Sequence, residues 1–177
     1  MSATKAAILQ EAIRNIPDFP IPGVIFRDIT PILRSPKLLQ SAVDVLSARH
    51  KGKPLSAVAA VEARGFIFGG AVAHALQIGF IPIRKQGKLP FTTIEESYQL
   101  EYGSATLAMH TDALQPGDSV LLVDDLLATG GTAQAAARMI EKLGGRIAEI
   151  AFLIELLPFQ GRQKLLSYPI FSAITFE

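Results

Sequence analysis

The stretch VLLVDDLLATGGTA, from Val120 to Ala133, constrains the fold more than any other segment of the chain. Four apolar residues lead into Asp124 and Asp125, and a loop with two glycines then precedes an alanine-rich run. Such a short apolar run is typical of a strand buried on both faces of a parallel sheet. The alanine-rich run, over residues 132–143, predicts a helix that ends at a pair of glycines. A strand, a loop and a helix in this order are the repeating unit of α/β folds.

The rest of the chain repeats this alternation of helices and strands. Apolar periodicity predicts helices over residues 3–15, 36–50 and 66–77, and apolar runs predict strands at 57–62, at 81–85 and in the segments SVLLVDD, RIAEIAFLIEL and PIFSAITF. The prolines between residues 17 and 31 exclude a regular helix over that stretch. The sequence therefore predicts one domain, residues 1–177, with a mostly parallel twisted sheet flanked by helices.

Charge and composition narrow the classes of partner. The net charge is +1, so no overall basic field indicates a nucleic-acid partner, and any anion must bind to a local cluster of charges. Residues 65–83 are long and nearly uncharged, but His74, Gln77 and Pro82 favour a buried helix and strand over a membrane span. There is no cysteine, and the three histidines lack metal-site spacing. We therefore expect no membrane partner and no metal site built from protein ligands alone.

Three segments follow predicted strands and hold charges or glycines. They are EARG (62–65), RKQGK (84–88) and DDLLATGGT (124–132). Ligands of open α/β sheets bind beyond the carboxyl ends of the strands. We therefore expect the three segments to meet at one rim of the sheet and to form the binding site.

The loop after the acidic pair has the composition of a phosphate site. Its glycines, Gly130 and Gly131, allow close backbone approach to a ligand, and Thr129 and Thr132 add hydroxyl donors. The helix that follows offers free N–H groups and the positive end of its dipole. The loop lacks the lysine of an ATP-type P-loop. The alternative is a tight strand-to-helix turn with a Gly-Gly hinge.

The acidic pair suggests a sugar beside that phosphate. Asp124 and Asp125 can accept hydrogen bonds from adjacent ribose hydroxyls, and a carboxylate near the anomeric carbon stabilises positive charge that develops there. The alternatives are a helix cap and a magnesium site. Together, the apolar strand, the acids and the TGGT loop fit a ribose 5-phosphate.

These residues also carry a family resemblance. VLLVDDLLATGGTA resembles the phosphoribosyl diphosphate motif of type I phosphoribosyltransferases. The segments PDFPIPGVIFRDITP, ARGFIFG, IRKQGKLP and YQLEYG are similar to the adenine-specific members of that family, and the resemblance covers about residues 14 to 165. One departure is Glu62-Ala63, where the family often has Asp-Ser, so that a serine hydroxyl is missing.

The resemblance implies a fold, a reaction and partners. The fold is that of type I phosphoribosyltransferases, with a small hood contributed by about residues 1–34 and 86–105. The reaction converts adenine and 5-phosphoribosyl 1-diphosphate to AMP and diphosphate, in purine salvage. Mg²⁺ is the implied cofactor, bound mainly through the diphosphate. The implied protein is a cytoplasmic homodimer.

The resemblance also assigns roles at the rim and in the hood. Arg64 lies in the diphosphate loop and takes part in catalysis, and Asp125 is the second catalytic group. Glu101 in the hood approaches N7 of the purine as proton donor or acceptor, and Tyr102 helps to close the site. The cations implied near the diphosphate are Arg84, Lys85 and Lys88, with Arg84 reaching in from a neighbouring subunit. A solvated basic face and a surface hairpin are the alternatives for the cations and for the hood.

The base is assigned to a different stretch. The main chain of Ile25 and Arg27 reads the edge of adenine, Phe26 stacks on the ring, and Leu126 packs on the other face. Phe26 as a core residue is the alternative. The residues expected to bind the 5-phosphate are Ala128, Thr129, Gly130, Gly131 and Thr132.

Two other functions compete with this one. A regulatory protein could keep the fold and bind the phosphoribosyl donor without catalysis, but it usually carries a basic surface or a DNA-binding extension. An enzyme of the same fold could act on another base. The segments FRD and LEYG match the adenine pattern and favour the adenine enzyme.

Overall fold

A computed structural model describes residues 2–99 and 104–177. These residues form five α-helices, nine strands and short 3-10 turns. The helices are α1 (Ser2–Ala12), α2 (Thr30–Arg34), α3 (Pro36–Ser47), α4 (Arg64–Leu76) and α5 (Gly131–Lys142). The strands are β1 (Arg14–Pro17), β2 (Ile25–Asp28), β3 (Ala57–Val61), β4 (Gly79–Lys85), β5 (Thr93–Gln99), β6 (Ser104–His110), β7 (Ser119–Leu127), β8 (Arg146–Leu156) and β9 (Ile170–Phe176).

Seven of the described strands form one sheet in the order β5-β6-β4-β3-β7-β8-β9. Strands β4, β3, β7, β8 and β9 are parallel, whereas β6 pairs antiparallel with β4 and with β5 at one edge. The predicted mostly parallel sheet is therefore confirmed. The first two strands form a separate antiparallel hairpin.

Helices cover both faces of the sheet, which explains the continuous apolar runs in its strands. Along β7, Val120 and Leu122 point to the side of α5, whereas Leu121 and Val123 point to the side of α3 and α4. All four side chains are buried, because successive residues of a strand face opposite sides. A strand covered on both faces needs apolar residues at every position.

Several boundaries differ from those that the sequence predicts. The helix expected over residues 3–15 ends at Ala12, because Arg14 and Asn15 pair with β2 in the hairpin. The proline-rich stretch 17–31 includes the hairpin strand Ile25–Asp28 and the start of helix Thr30–Arg34, in which Pro31 occupies the first turn. Proline is tolerated there because first-turn N–H groups have no partner within the helix. Strand β7 also continues past the aspartates to Leu127, because Leu126 and Leu127 still pair with β8.

The long uncharged stretch is resolved into two elements. Residues 65–83 are divided between α4 and β4, joined by Gln77 in a left-handed conformation at the end of the helix. Within residues 2–99 and 104–177, no helix has the length and apolar character needed to cross a membrane.

Candidate active site

The segments 62–65, 84–88 and 124–132 meet at the carboxyl ends of β3, β4 and β7. They surround an open pocket of about 500 Å³. Its lining residues include Val61, Glu62, Ala63, Arg64, Lys85, Tyr98, Leu107, Asp124, Asp125, Leu126, Leu127, Ala128, Thr129, Gly130, Thr132, Ala133 and Phe152. Each of the three segments contributes at least one charged or glycine residue to this lining.

The loop between β7 and α5 has the geometry of an anion site. Gly130 adopts a left-handed conformation (φ 77°) that favours glycine, and α5 begins at the next residue, Gly131. The first N–H groups of α5 have no partner within the helix, and they lie beside the pocket with the positive end of the helix dipole. Thr129 and Thr132 line the same end of the pocket.

Asp124 and Asp125 lie side by side in the lining of the pocket. The main-chain N–H of Asp125 donates to Oδ1 of Asp124 at 2.9 Å. Burial raises the pKa of Asp124 well above its usual value, and the neighbouring charge of Asp125 adds to the rise. Burial also raises the pKa of Asp125, although the Arg64 guanidinium opposes the rise. Hydroxyl donors from a ligand would stabilise the negative charge of this pair.

Arg64 lies across from this pair at the first turn of α4. Its Nε is 2.6 Å from Oδ2 of Asp125, which is only 6% exposed, while the arginine side chain itself is 43% exposed. The guanidinium is therefore anchored at one edge. Among residues 2–99 and 104–177 it has no second ion-pair partner, so its other N–H groups can meet an anion in the pocket.

Gly65 is a site residue that the sequence analysis did not single out. A Cβ added to Gly65 would lie 2.6 Å from Oδ1 of Asp124, so only glycine allows α4 to approach the acidic pair this closely. In the sequence this glycine directly precedes the predicted helix at 66–77, where a glycine also suits an ordinary turn.

Glu62 organises the two cations of the next segment. Its carboxylate accepts from Arg84 at 3.1 and 2.9 Å and from the main-chain N–H of Lys85 at 2.7 Å. Burial opposes ionisation of Glu62, but these hydrogen bonds outweigh it and lower its pKa. Lys85 lines the pocket, whereas Arg84 and Lys88 do not belong to the lining. The peptide bond between Glu62 and Ala63 is cis.

The residues expected to hold the base lie near Arg64. The Arg64 guanidinium carbon is 5.7 Å from the centre of the Phe26 ring, which also meets Phe19 edge-on at 5.3 Å. Phe26 is only partly buried, and Leu126 lines the pocket itself. Arg27 points elsewhere, since its side chain bonds to Asn15 and lies over the ring of Phe176. The side chain of Arg27 is thus engaged within the protein.

Ile25 is 49% exposed and lies beside Phe26 on β2. Glu101 and Tyr102 lie outside the described residues. The strands on either side of them, β5 and β6, form a hairpin whose Tyr98 lines the pocket and lies over Gly131. Sequence reasoning missed Tyr98, because an alternating polar strand gives no indication of what its outward side chains meet.

Asp124 and Asp125 are carboxylates of the pocket that could contact a metal ion. Within residues 2–99 and 104–177, no cluster of three or more His, Asp or Glu side chains could hold an ion by itself. Two adjacent carboxylates on an open pocket do fit Mg²⁺, which usually takes one or two carboxylates together with substrate phosphates and water.

Comparison with known proteins identifies the family. The chain matches the family model described as phosphoribosyl transferase domain over residues 29–169. It is 51% identical to the adenine phosphoribosyltransferase of Roseiflexus sp. (strain RS-1), over 95% of this chain and 98% of the relative. The crystal structure of adenine phosphoribosyltransferase from Thermoanaerobacter pseudethanolicus superimposes with a TM-score of 0.93 at 46% identity, covering 97% and 99% of the two chains.

A third comparison includes ligands. The Saccharomyces cerevisiae adenine phosphoribosyltransferase, complexed with D-2,5-dideoxy-2,5-imino-altritol 1,6-bisphosphate and adenine, superimposes with a TM-score of 0.91. It is 38% identical, and the match covers 97% of this chain and 99% of that one. The chain belongs to the adenine phosphoribosyltransferases, within the phosphoribosyltransferase domain family.

Proposed function

We propose that the protein transfers the 5-phosphoribosyl group of 5-phosphoribosyl 1-diphosphate to adenine and releases AMP and diphosphate, as an enzyme of purine salvage. The observation that carries this proposal is the position of Asp124 and Asp125 between the anion loop at Gly130 and the cation Arg64. A ligand that fills this pocket must offer hydroxyl donors in its middle and an anion at each end. A phosphorylated ribose with a diphosphate at C1 has that order of groups.

The 5-phosphate binds to the loop of Ala128, Thr129, Gly130, Gly131 and Thr132. Its support is the free first turn of α5 together with the two threonine hydroxyls. The ribose hydroxyls then donate to Asp124 and Asp125, whose pKa values are raised chiefly by burial. Arg64 favours the ionised form of Asp125, and the carboxylate stabilises the cationic ribose that forms as the C1–O bond breaks.

The diphosphate leaves toward the cations. Arg64 offers N–H donors in a fixed planar arrangement, which suits a phosphate better than an ammonium does. Lys85 adds a charge on the pocket wall, and Lys88 lies three residues further along the same segment. Stabilising the leaving diphosphate lowers the barrier to C1–O cleavage.

Adenine occupies the space between Phe26 and Leu126. An aromatic face and an aliphatic side chain suit a planar base. The main-chain groups of Ile25 and Arg27 offer one donor and one acceptor to the base edge. From the hood, Glu101 exchanges the N7 proton, and Tyr102 closes the site over the reacting atoms. In this proposal, residues 1–34 and 86–105 together form the hood of a single domain.

Mg²⁺ is the proposed cofactor. Asp124 and Asp125 are the carboxylates that would face it, and the diphosphate and water would complete its ligands. When bound, the ion neutralises charge on the diphosphate.

We also propose that the protein is a cytoplasmic homodimer. Ile67 and Phe80 are 41% and 36% exposed on α4 and β4, and Phe66 packs edge-on against Phe80 at 5.5 Å. This apolar surface lies on the elements that lead to Arg64 and Arg84, so a second copy docked there would bring its own Arg84 near the pocket. A charged diphosphate donor that does not cross membranes unaided supports the location. Light scattering tests the dimer, and a mass of one chain at micromolar concentration would refute it.

The assay that tests the function follows AMP by chromatography. The purified protein with Mg²⁺ and 5-phosphoribosyl 1-diphosphate should convert adenine to AMP and leave hypoxanthine and guanine unchanged. Absence of AMP from a folded sample that binds the donor would favour a non-catalytic binding protein. Turnover of another purine in place of adenine would favour an enzyme for that base.

A further inference from the structure

We infer that the 3-10 segment after β8, Gly161–Leu165, forms the rear wall of the 5-phosphate site, and that Gly161 is a positioning residue for the phosphate loop. The inference rests on the proposed function, because it concerns the loop assigned there to the 5-phosphate. It adds a segment 30 residues beyond that loop, outside the motif of the phosphoribosyl donor.

The contact joins two backbones. Gly161 packs against the phosphate loop so closely that an added Cβ would overlap the carbonyl oxygen of Ala128 and lie 3.0 Å from the nitrogen of Gly130. The contact is reciprocal, since a Cβ on Gly130 would overlap the carbonyl of Gly161. The closest atom on each side belongs to the backbone, and a Cβ at position 161 would also lie 2.8 Å from Cδ1 of Leu127. The loop conformation therefore depends on the absence of a side chain at position 161.

The segment is fixed more firmly than an ordinary surface turn. Arg162 donates two hydrogen bonds of 2.7 Å to Glu155, which is 3% exposed at the end of β8. Leu165 is completely buried in the core below α5. The side chain of Gln134, in the first turns of α5, donates to the carbonyl of Lys164 at 2.8 Å. Three separate contacts thus anchor the residues that directly follow Gly161.

Of the two segments in contact, the phosphate loop is held by fewer hydrogen bonds within the described residues than the segment Gly161–Leu165. The loop residues that contact Gly161 lie between the end of β7 and the first turn of α5. Main-chain N–H groups there have no partner within a helix. A methyl group at position 161 must therefore displace the carbonyl of Ala128 and turn the neighbouring N–H groups away from the phosphate. The ribose 5-phosphate end of the ligand loses affinity, whereas the adenine subsite at Phe26 and Leu126 is unaffected.

Gly161→Ala isolates this effect. The φ angle of Gly161 is not in the left-handed region, so alanine is conformationally acceptable and only space opposes it. Gly79→Ala is the matched control, because Gly79 also lacks a positive φ, lies at the opposite end of the sheet and has no neighbour closer than 4.0 Å to an added Cβ.

The experiment measures binding of ribose 5-phosphate by calorimetry, the KM of each substrate, and the melting temperature. For Gly161→Ala we expect at least a tenfold weaker Kd for ribose 5-phosphate, about 1.4 kcal/mol. The KM for 5-phosphoribosyl 1-diphosphate should rise in parallel, and the KM for adenine should stay within twofold. Gly79→Ala should match the parent in all of these measurements.

The outcomes separate this inference from the proposed function. A parent protein that does not bind ribose 5-phosphate contradicts the proposed function itself. A parent that binds it, with Gly161→Ala binding equally well, overturns the inference alone. An equal rise in the KM values of adenine and of 5-phosphoribosyl 1-diphosphate would also overturn the inference, because it indicates general unfolding.

A second variant keeps the test decisive if Gly161→Ala does not fold. Arg162→Lys keeps the charge but loses the two-pronged contact with Glu155, so the wall is loosened without a new clash. We expect a smaller rise, about threefold, in the Kd for ribose 5-phosphate, again with little change in the adenine KM. An unchanged Kd in a folded Arg162→Lys protein would overturn the inference.

Discussion

Arg64 and Asp125 form a 2.6 Å ion pair across the mouth of the pocket, with the aspartate buried and the arginine half exposed. Because of this difference in exposure, breaking the ion pair costs the aspartate more free energy than it costs the arginine. The arginine can be hydrated when it loses the contact, whereas the aspartate would remain a poorly solvated charge. The buried carboxylate and the exposed guanidinium therefore present opposite charges side by side at the pocket.

Asp125→Asn tests the negative charge. We expect kcat to fall by about 10² to 10³, the range for losing one electrostatic group aimed at a transition state. The melting temperature should hold or rise, because burial opposes the charge of Asp125 and asparagine carries none. Steady-state kinetics and calorimetric melting on the same preparation check both. An unchanged kcat with a large loss of stability would contradict the assigned role.

The pH dependence of stability tests the raised pKa of Asp124. A carboxyl whose pKa is higher in the folded than in the unfolded state contributes stability below its unfolded pKa, near 3.8, and loses it as pH rises through the folded pKa. Asp124→Asn has no such loss. The difference in melting temperature between variant and parent should therefore move in favour of the variant as the pH rises from 4 to 8.

Melting curves of the ligand-free proteins at several pH values measure this difference. Glu62→Gln is a useful contrast, because the pKa of Glu62 is lowered, so its contribution to stability is lost as pH falls instead. A constant difference for Asp124→Asn over this range would show that its pKa is not raised.

Gly65→Ala tests the close approach of α4 to the acidic pair. The added Cβ would lie 2.6 Å from Oδ1 of Asp124 and must push that carboxylate away from its bond with the Asp125 N–H. We expect kcat/KM for the phosphoribosyl donor to fall at least tenfold. Gly79→Ala serves again as a control with open space around its Cβ. Equal activities of these two variants would show that the carboxylate moves without consequence.

Lys85 and Lys88 offer a matched pair for the diphosphate. Both side chains are exposed, but only Lys85 belongs to the pocket lining. We expect Lys85→Met to weaken product inhibition by diphosphate about tenfold and Lys88→Met to weaken it less, with the adenine KM unchanged in both. Inhibition constants at two salt concentrations check this result, because a lost charge contact also reduces the salt dependence. A larger effect at Lys88 would indicate that the segment rearranges when diphosphate binds.

Much of this site could be predicted from the sequence. Ligands of such sheets bind at the ends of strands, and strand ends can be recognised from short stretches of sequence. Apolar runs located β3, β4 and β7, and the charged and glycine segments behind them do meet at one pocket. Close contacts between residues far apart in the sequence cannot be predicted in this way. Gly65 against Asp124 and Gly161 against Ala128 are glycines whose role depends on what lies opposite in the fold. The bond from Arg84 to Glu62 likewise joins the ends of two strands that become neighbours only in the sheet.

Phe26 tests the base subsite separately from the sugar subsite. Its ring lies 5.7 Å from the Arg64 guanidinium carbon and is only partly buried, so removing it should leave the core intact. For Phe26→Ala we expect the KM for adenine to rise about tenfold, with the Kd for ribose 5-phosphate unchanged, since a lost base–aromatic stack costs about 1–3 kcal/mol. Phe26→Leu keeps apolar bulk but not the flat face, so its KM for adenine should lie between those of the parent protein and Phe26→Ala. If Phe26→Ala instead lowers the melting temperature sharply and leaves the adenine KM unchanged, the ring is a packing residue and adenine binds elsewhere.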